Sequence, residues 1–253
     1  LEGSDIEGVD RLVPLVFKII FVTVMVYGIT VPVLARRLGI ARPNPQGVLF
    51  GGAQPWVREV ARTLAAEGTS VSLADSNWVN VTAARQEGLT AHYGNLLSEE
   101  FVSSLSLEEV GYFVAVTPND EVNSLAAIAF SEVLGRSAVF QLQPDPTRER
   151  ERTQSDIPSH LRGRFIFGAR ASHRTMELRR TQGAVVKRTR ITEDFTMDQF
   201  WKRYGDEALP LFIITSYREL RVVTTMDPPT IKRGDTLISL VRPEVDWGGE
   251  KPA

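Results

Sequence analysis

The sequence predicts an α/β protein in three parts: one transmembrane helix, a parallel-sheet domain covered by helices on both faces, and a small α+β domain. Three observations predict it. Residues 19–35 carry no charged side chain. Between 48 and 142, short apolar runs alternate with helical patterns, the signature of β-α-β units. Beyond 164, short strand-like runs return around one clear helical pattern.

The chain of 253 residues has room for one ordinary domain and a smaller one. Its 29 basic and 31 acidic residues are interspersed and give a formal net charge of −2, so no basic face marks a nucleic-acid partner. Cysteine is absent, which excludes disulfides, thiolate catalysis, Cys-ligated zinc and iron–sulfur clusters, and is compatible with a reducing cytosol. The sequence begins at Leu1 rather than Met, and its first residues read as the end of a polar loop, so a fragment of a longer polypeptide is expected.

The first part, 1–40, is the expected transmembrane helix with its flanks. A run of this length at about 1.5 Å per residue reaches roughly 26–30 Å, enough for the hydrocarbon core of a bilayer. Lys18 can extend toward the interface, and Tyr27, Gly28 and Pro32 are tolerated in such helices. Arg36, Arg37 and Arg42 follow the run, whereas Glu2, Asp5, Glu7 and Asp10 precede it around a lone Arg11, so the C-terminal end faces the cytoplasm by the positive-inside rule. A secretory signal would place its basic residues first. A buried helix of a soluble protein would show a polar stripe.

The second part, 46–143, holds strand candidates at 48–50, 71–74, 91–93, 113–116 and 138–142, almost wholly apolar or small. Such strands suit a parallel sheet covered on both faces, which is Rossmann-like. Val57, Val60, Ala61, Leu64 and Ala65 fall on one helical face, and 79–87 and 121–134 are also helical in pattern. Gly68, Gly88 and Gly135 each stand just past a helical pattern, where a left-handed cap favours glycine. At Thr117-Pro118-Asn119-Asp120 the threonine is the expected N-cap, with Asp120 completing a capping-box-like start.

Dinucleotide binding on this fold wants a glycine-rich turn after the first strand and an acid after the second. The acid is present as Asp75. The turn reads Gly51-Gly52-Ala53-Gln54-Pro55-Trp56-Val57, without the second and third glycines of G-x-G-x-x-G. Two readings stay open here: a module that keeps a nucleotide, and one that binds nothing, with Asp75 merely capping the next turn.

Gly52-Ala53, Asp75, Tyr93-Gly94-Asn95 and the run Thr117-Pro118-Asn119-Asp120-Glu121-Val122-Asn123 follow successive strands. In these elements, spread over about one hundred residues, the sequence resembles the N-terminal regulator-of-conductance (RCK) domain of potassium channels, potassium uptake systems and cation:proton antiporters. The resemblance implies that NAD or an adenine nucleotide lies across the strand ends, held by Gly52, Ala53, Asp75, Asn95 and Thr117. It departs from the family at Gln54 and Val57, where later glycines would align, and at Asn95, where aspartate is common.

The stretch Gly28-Ile29-Thr30-Val31-Pro32-Val33-Leu34-Ala35-Arg36-Arg37-Leu38-Gly39 is similar to the final membrane helix of sodium/proton exchangers. Together the two resemblances imply the C-terminal part of a monovalent cation:proton antiporter in the plasma (inner) membrane. Its partners would be the bilayer, the transport domain of the same polypeptide and a second copy in a homodimer. The ion-binding carboxylates of that family lie on earlier helices, so none is assigned to these residues.

Residues 144–163 are polar, charged and punctuated by proline, and read as an exposed linker. The third part, 164–243, is expected to carry strands at 165–167, 184–187, 211–215, 220–223 and 237–241 and a helix at 197–204, before a tail at 244–253. Its run Ile231-Lys232-Arg233-Gly234-Asp235-Thr236-Leu237-Ile238 resembles the end of the RCK C-terminal domain, and a plain turn before an edge strand explains it equally.

No catalytic or metal site is expected. His92, His160 and His173 are far apart and lack a helical partner for zinc. Glu99-Glu100 and Glu108-Glu109 are adjacent, and adjacent residues on a helix do not face one another. Arg179-Arg180 and Lys187-Arg188 are expected on a solvated face, with anionic headgroups as the alternative. The competing functions are a membrane-anchored NAD(P)-binding oxidoreductase, for which no hydride-transfer pair is found, and a ligand-free dimerisation scaffold.

Overall fold

The structure is a computed structural model that describes residues 9–37, 45–149 and 163–242. Arg42, His160, most of the expected linker and the tail lie outside the described residues. The chain divides into two compact units, Leu1–Pro45 and Gln46–Ala253.

In the first unit, α1 (Val9–Arg37) is a helix of 29 residues. Its stretch Val13–Val31 is long and apolar enough to cross a membrane, and none of it is buried. Exposure runs right round the helix: the consecutive Ile19, Ile20, Phe21 and Val22 point in four directions at about 100° per residue, and all are exposed. The hydroxyls of Thr23 and Thr30 donate to the carbonyls of Ile19 and Val26 at 2.7 Å, so neither leaves an unpaired donor on this apolar surface.

In the second unit, β1 (Gly47–Gly51), β2 (Val71–Asp75), β3 (Thr90–Tyr93), β4 (Val110–Ala115), β5 (Val139–Gln141) and β6 (Arg164–Phe165) form a parallel sheet. The order is β3-β2-β1-β4-β5-β6. It is interleaved with α2 (Pro55–Ala66), α3 (Trp78–Gln86), α4 (Glu99–Ser104), α5 (Asp120–Leu134) and the short α6 (Pro146–Glu149). The period of two along β1 sorts its side chains between two cores. Val48 and Phe50 join the cluster of Val57, Val60 and Leu64 from α2. Leu49 joins Phe113, Ala126, Ala127 and Phe130, where the two phenylalanine rings stack at 3.8 Å. Both faces are therefore covered, as the apolar strands predict.

The helices end where expected: Gly68, Gly88 and Gly135 take φ of 85°, 79° and 81°. The start of α5 differs from expectation. Its N-cap is Asn119, whose side-chain oxygen accepts from the backbone N–H groups of Glu121 and Val122, and Asp120 is the first helical residue. Thr117 instead donates its hydroxyl to Asn123 Oδ1 at 2.7 Å. The side chain nearer the first free N–H groups captures them.

The second sheet is antiparallel, in the order β7-β10-β8-β9, with β7 (Val185–Arg190), β8 (Leu209–Ile214), β9 (Leu220–Val222) and β10 (Thr236–Val241). Two helices accompany it, α7 (His173–Thr181) and α8 (Met197–Tyr204). A full capping box between Thr196 and Gln199 starts α8, and Phe200 packs with Ile213 and Leu237. The expected strand at 165–167 belongs elsewhere: Phe165 pairs with Gln141 at the edge of the parallel sheet, and Ile166 bridges to Thr224.

The two sheets share a core. Phe212 on β8 meets Phe50 at 6.0 Å and Phe167 at 5.4 Å between ring centroids. Glu59 on α2 accepts from the N–H of Val186 at 2.8 Å. The Tyr112 hydroxyl donates to the Leu220 carbonyl at 3.0 Å, and Leu220 N–H donates to Gln46 Oε1 at 2.7 Å. Burial, foremost, pushes the Tyr112 phenol above its ordinary pKa.

Candidate functional site: a cavity at the strand ends

Strand order reverses between β1 and β4, and the C-terminal ends of β1 to β4 open there into a cavity of about 500 Å³. A crevice at such a reversal is where open α/β sheets place ligands. The lining includes Gln54, Asp75, Asn77, Asn80, Asn95 and Thr117, with Leu96, Leu97 and Val122 as apolar surface. Three of the five residues carried over from the RCK resemblance, Asp75, Asn95 and Thr117, thus share one cavity wall. Gly52 and Ala53 are buried in the turn behind Gln54.

Asp75 is 9 % exposed and organises the turn. Its Oδ2 accepts from Ala53 N–H at 2.8 Å and from Asn80 Nδ2 at 2.9 Å, while its Oδ1 accepts from Asn77 N–H at 2.8 Å. It caps the next turn, as one reading of the sequence held, and it also ties β2 to the turn after β1. A carboxylate offers about four acceptor positions, so three donors leave one open on Oδ1.

Asn95 is exposed and its Oδ1 accepts from Leu97 N–H at 3.0 Å. Behind Thr117, the buried Asn123 accepts from Thr117 N–H at 2.9 Å and donates to the Thr117 carbonyl at 3.0 Å. Thr117 is held in place by this pair of bonds rather than by capping a helix.

The turn does not fit a pyrophosphate. Such a group needs free backbone N–H groups and close approach to glycine. Here Gly52 N–H donates to the Ala74 carbonyl at 2.7 Å, Ala53 N–H is taken by Asp75, and Pro55 has none. Gly52 has φ of 133°, and a Cβ there would lie 2.8 Å from Gln54 Oε1, so the space beside the glycine is filled by the chain's own glutamine. No Lys or Arg is among the residues lining the cavity. Arg58 is turned away, to the Ala53 carbonyl at 2.9 Å and to Glu87 at 2.8 Å. Sequence reasoning flagged Gln54 as a departure from a motif; the use made of that side chain needed the geometry.

Elsewhere, Asp235 at the C-terminal turn is 4 % exposed and accepts from Lys232 N–H at 2.8 Å and Ser216 N–H at 3.2 Å. These bonds account for the Gly234-Asp235 pair as a turn clamp. Burial, then the nearby Arg85, holds the His92 pKa below its ordinary value. Among the described residues no group of three or more His, Asp or Glu side chains could hold a metal ion.

Residues 49–146 match the family model described as the TrkA-N domain, less than half of the chain. Solved structures similar to it include the NAD(P)-binding domain of an exopolyphosphatase-related protein from Archaeoglobus fulgidus (22 % identity, 43 % of this chain and 80 % of that one, TM-score 0.34). Another is the TrkA-N domain of the inner membrane protein ybaL from Escherichia coli (16 % identity, 40 % and 75 % covered, TM-score 0.34). A third is the GsuK channel bound to NAD, of whose length the chain spans half (14 % identity, 99 % of this chain covered, TM-score 0.40). No curated protein matches the chain. The fold, the strand-end cavity and the matched segment together make residues 49–146 a Rossmann-like domain of the TrkA-N type.

Proposed function

We propose that the chain is the last membrane-spanning helix and cytoplasmic regulatory tail of a monovalent cation (sodium or potassium):proton antiporter of the plasma (inner) membrane, acting as a homodimer. One observation carries the reading: within one chain, the unburied apolar stretch Val13–Val31 is followed by a TrkA-N domain from residue 49. That domain type regulates channels and transporters, and the similarity of Gly28 to Gly39 to the final helix of sodium/proton exchangers favours the antiporter among them. Arg36 and Arg37 after the apolar run put the domain on the cytoplasmic side. Exposing so many large apolar side chains to water is costly at roughly 25 cal/mol per Å², and a bilayer removes that cost. The reading assigns no catalysis to this chain: the turn after β1 commits the N–H groups of Gly52 and Ala53 within the chain and carries Gln54 and Val57 where a nicotinamide enzyme would have its later glycines.

The test is made on the intact parent polypeptide. Inverted membrane vesicles containing it are acidified by respiration, and a fluorescent pH-gradient probe is followed as sodium or potassium chloride is added. Cation-dependent dissipation of the gradient is expected, with an altered rate or cation affinity when residues 46–253 are removed. A gradient indifferent to both cations would sink the proposal.

A further inference from the structure

We infer that Gln54 sets the ligand class of the strand-end cavity, closing it to diphosphate-bridged dinucleotides and leaving it to a neutral, hydrogen-bond-donating ligand of nucleoside size. The inference deepens the reading of this domain as regulatory and rests on it.

Observations on the turn, the local charge and the cavity lining converge. The Gln54 amide occupies the space beside Gly52, where a Cβ would come within 2.8 Å of its oxygen, and a phosphate approaching the glycine meets that amide instead. Gln54, a residue of the cavity lining, is only 8 % exposed, and its Oε1 is buried without a hydrogen-bond partner. A buried carbonyl oxygen in this state favours a donor and disfavours a phosphate oxygen. The charged group that lines the cavity is the Asp75 carboxylate, with no Lys or Arg to offset it, so the local field opposes a diphosphate. Asp75 Oδ1 keeps one acceptor position, which suits a ribose hydroxyl. Leu96, Leu97 and Val122 supply apolar surface for a base, and about 500 Å³ is ample for a nucleoside. The start of α2 has no side-chain cap, but its first residue is Pro55, which offers no N–H, and the N–H groups of Gly52 and Ala53 are taken. The attraction for an anion is correspondingly reduced.

The full chain in detergent micelles is titrated calorimetrically with adenosine and, separately, with NADH. The wild type is expected to bind adenosine saturably and at least about tenfold more tightly than NADH, a gap of about 1.4 kcal/mol. Gln54→Gly and Gln54→Ala, each checked for wild-type circular dichroism, are expected to gain NADH affinity about tenfold or more, because the space beside Gly52 opens and the unmet acceptor is removed. Two variants are used so that misfolding of one leaves the other informative. Wild-type NADH binding as tight as adenosine binding, no adenosine binding at all, or no gain in NADH affinity in either folded variant overturns the inference. Cation-dependent dissipation of the vesicle gradient is read out independently, so its presence or absence separates a failure of this inference from a failure of the transporter reading.

Discussion

Asp75 is a buried carboxylate whose oxygens meet three donors from two separate stretches of chain, Ala53 in the turn after β1 and Asn77 and Asn80 at the start of α3. Hydrogen bonds to charged groups contribute more than neutral ones, and a buried donor left without a partner costs about 1–3 kcal/mol. Asp75→Ala is therefore expected to lower the unfolding free energy of the second unit by about 3 kcal/mol, since water entering the adjacent cavity restores part of the loss. Asp75→Asn keeps the shape and at most two acceptor contacts, and is expected to cost about half as much. Urea titration of the full chain in detergent, followed by circular dichroism, measures both. Equal and negligible losses would show that the carboxylate does not hold the turn. The acid at the end of the second strand was legible in the sequence, because its place follows from a strand of known length. Its partners were not, because which N–H groups come within 2.8 Å depends on the path of a turn whose glycine pattern is altered.

Among the elements, those with strong periodicity were read correctly and those lacking it were missed. Five apolar runs gave five of the six parallel strands, and the helix Met197–Tyr204 was found with its observed bounds. By contrast, α4 spans six residues and buries none of them fully, so nothing repeats often enough to mark it. Only Met176 of α7 is fully buried, and a polar helix resembles a loop in sequence. The two-residue β6 pairs with β5 across an intervening segment, which no local pattern can signal. At α5, Thr117 and Asn119 are both good caps, and Pro118 between them made the earlier one attractive. With Asn119 Oδ1 accepting from Glu121 and Val122, Asn119→Ala is expected to cost about 1 kcal/mol. Thr117→Val removes the hydroxyl's bonds to Asn123 and to the Asn119 backbone but keeps the Asn119 Oδ1 cap, and should leave the N–H groups of Glu121 and Val122 protected. Amide hydrogen exchange at Glu121 and Val122 distinguishes them: faster in the Asn119 variant, unchanged in the Thr117 variant. The reverse pattern would restore threonine as the cap.

At the scale of the whole molecule, the parallel and antiparallel sheets are two in topology and one in packing. Phe50 on β1 and Phe212 on β8 meet edge to face and sit in the same cluster as Val57, Val60 and Ile238, so neither sheet can open along this seam without exposing the other. Cooperativity follows when opening one part strips apolar cover from the next. Phe212→Ala removes a fully buried ring and is expected to cost about 3–5 kcal/mol. Phe50→Ala should cost a similar amount, and the double variant should fall short of the sum by about 0.5–1.5 kcal/mol, the coupling of an aromatic pair in contact. Hydrogen exchange followed by mass spectrometry on the full chain in detergent reads the consequence on each sheet. Amides of β1 and of β10 are expected to share one opening free energy and to lose the same amount on Phe212→Ala, although β10 is in the sheet that carries the substitution and β1 is not. Destabilisation confined to β7 through β10, with β1 protected as before, would mean that the sheets unfold separately. A signal arising at the cavity over β1 could then not be transmitted through this seam to the antiparallel sheet.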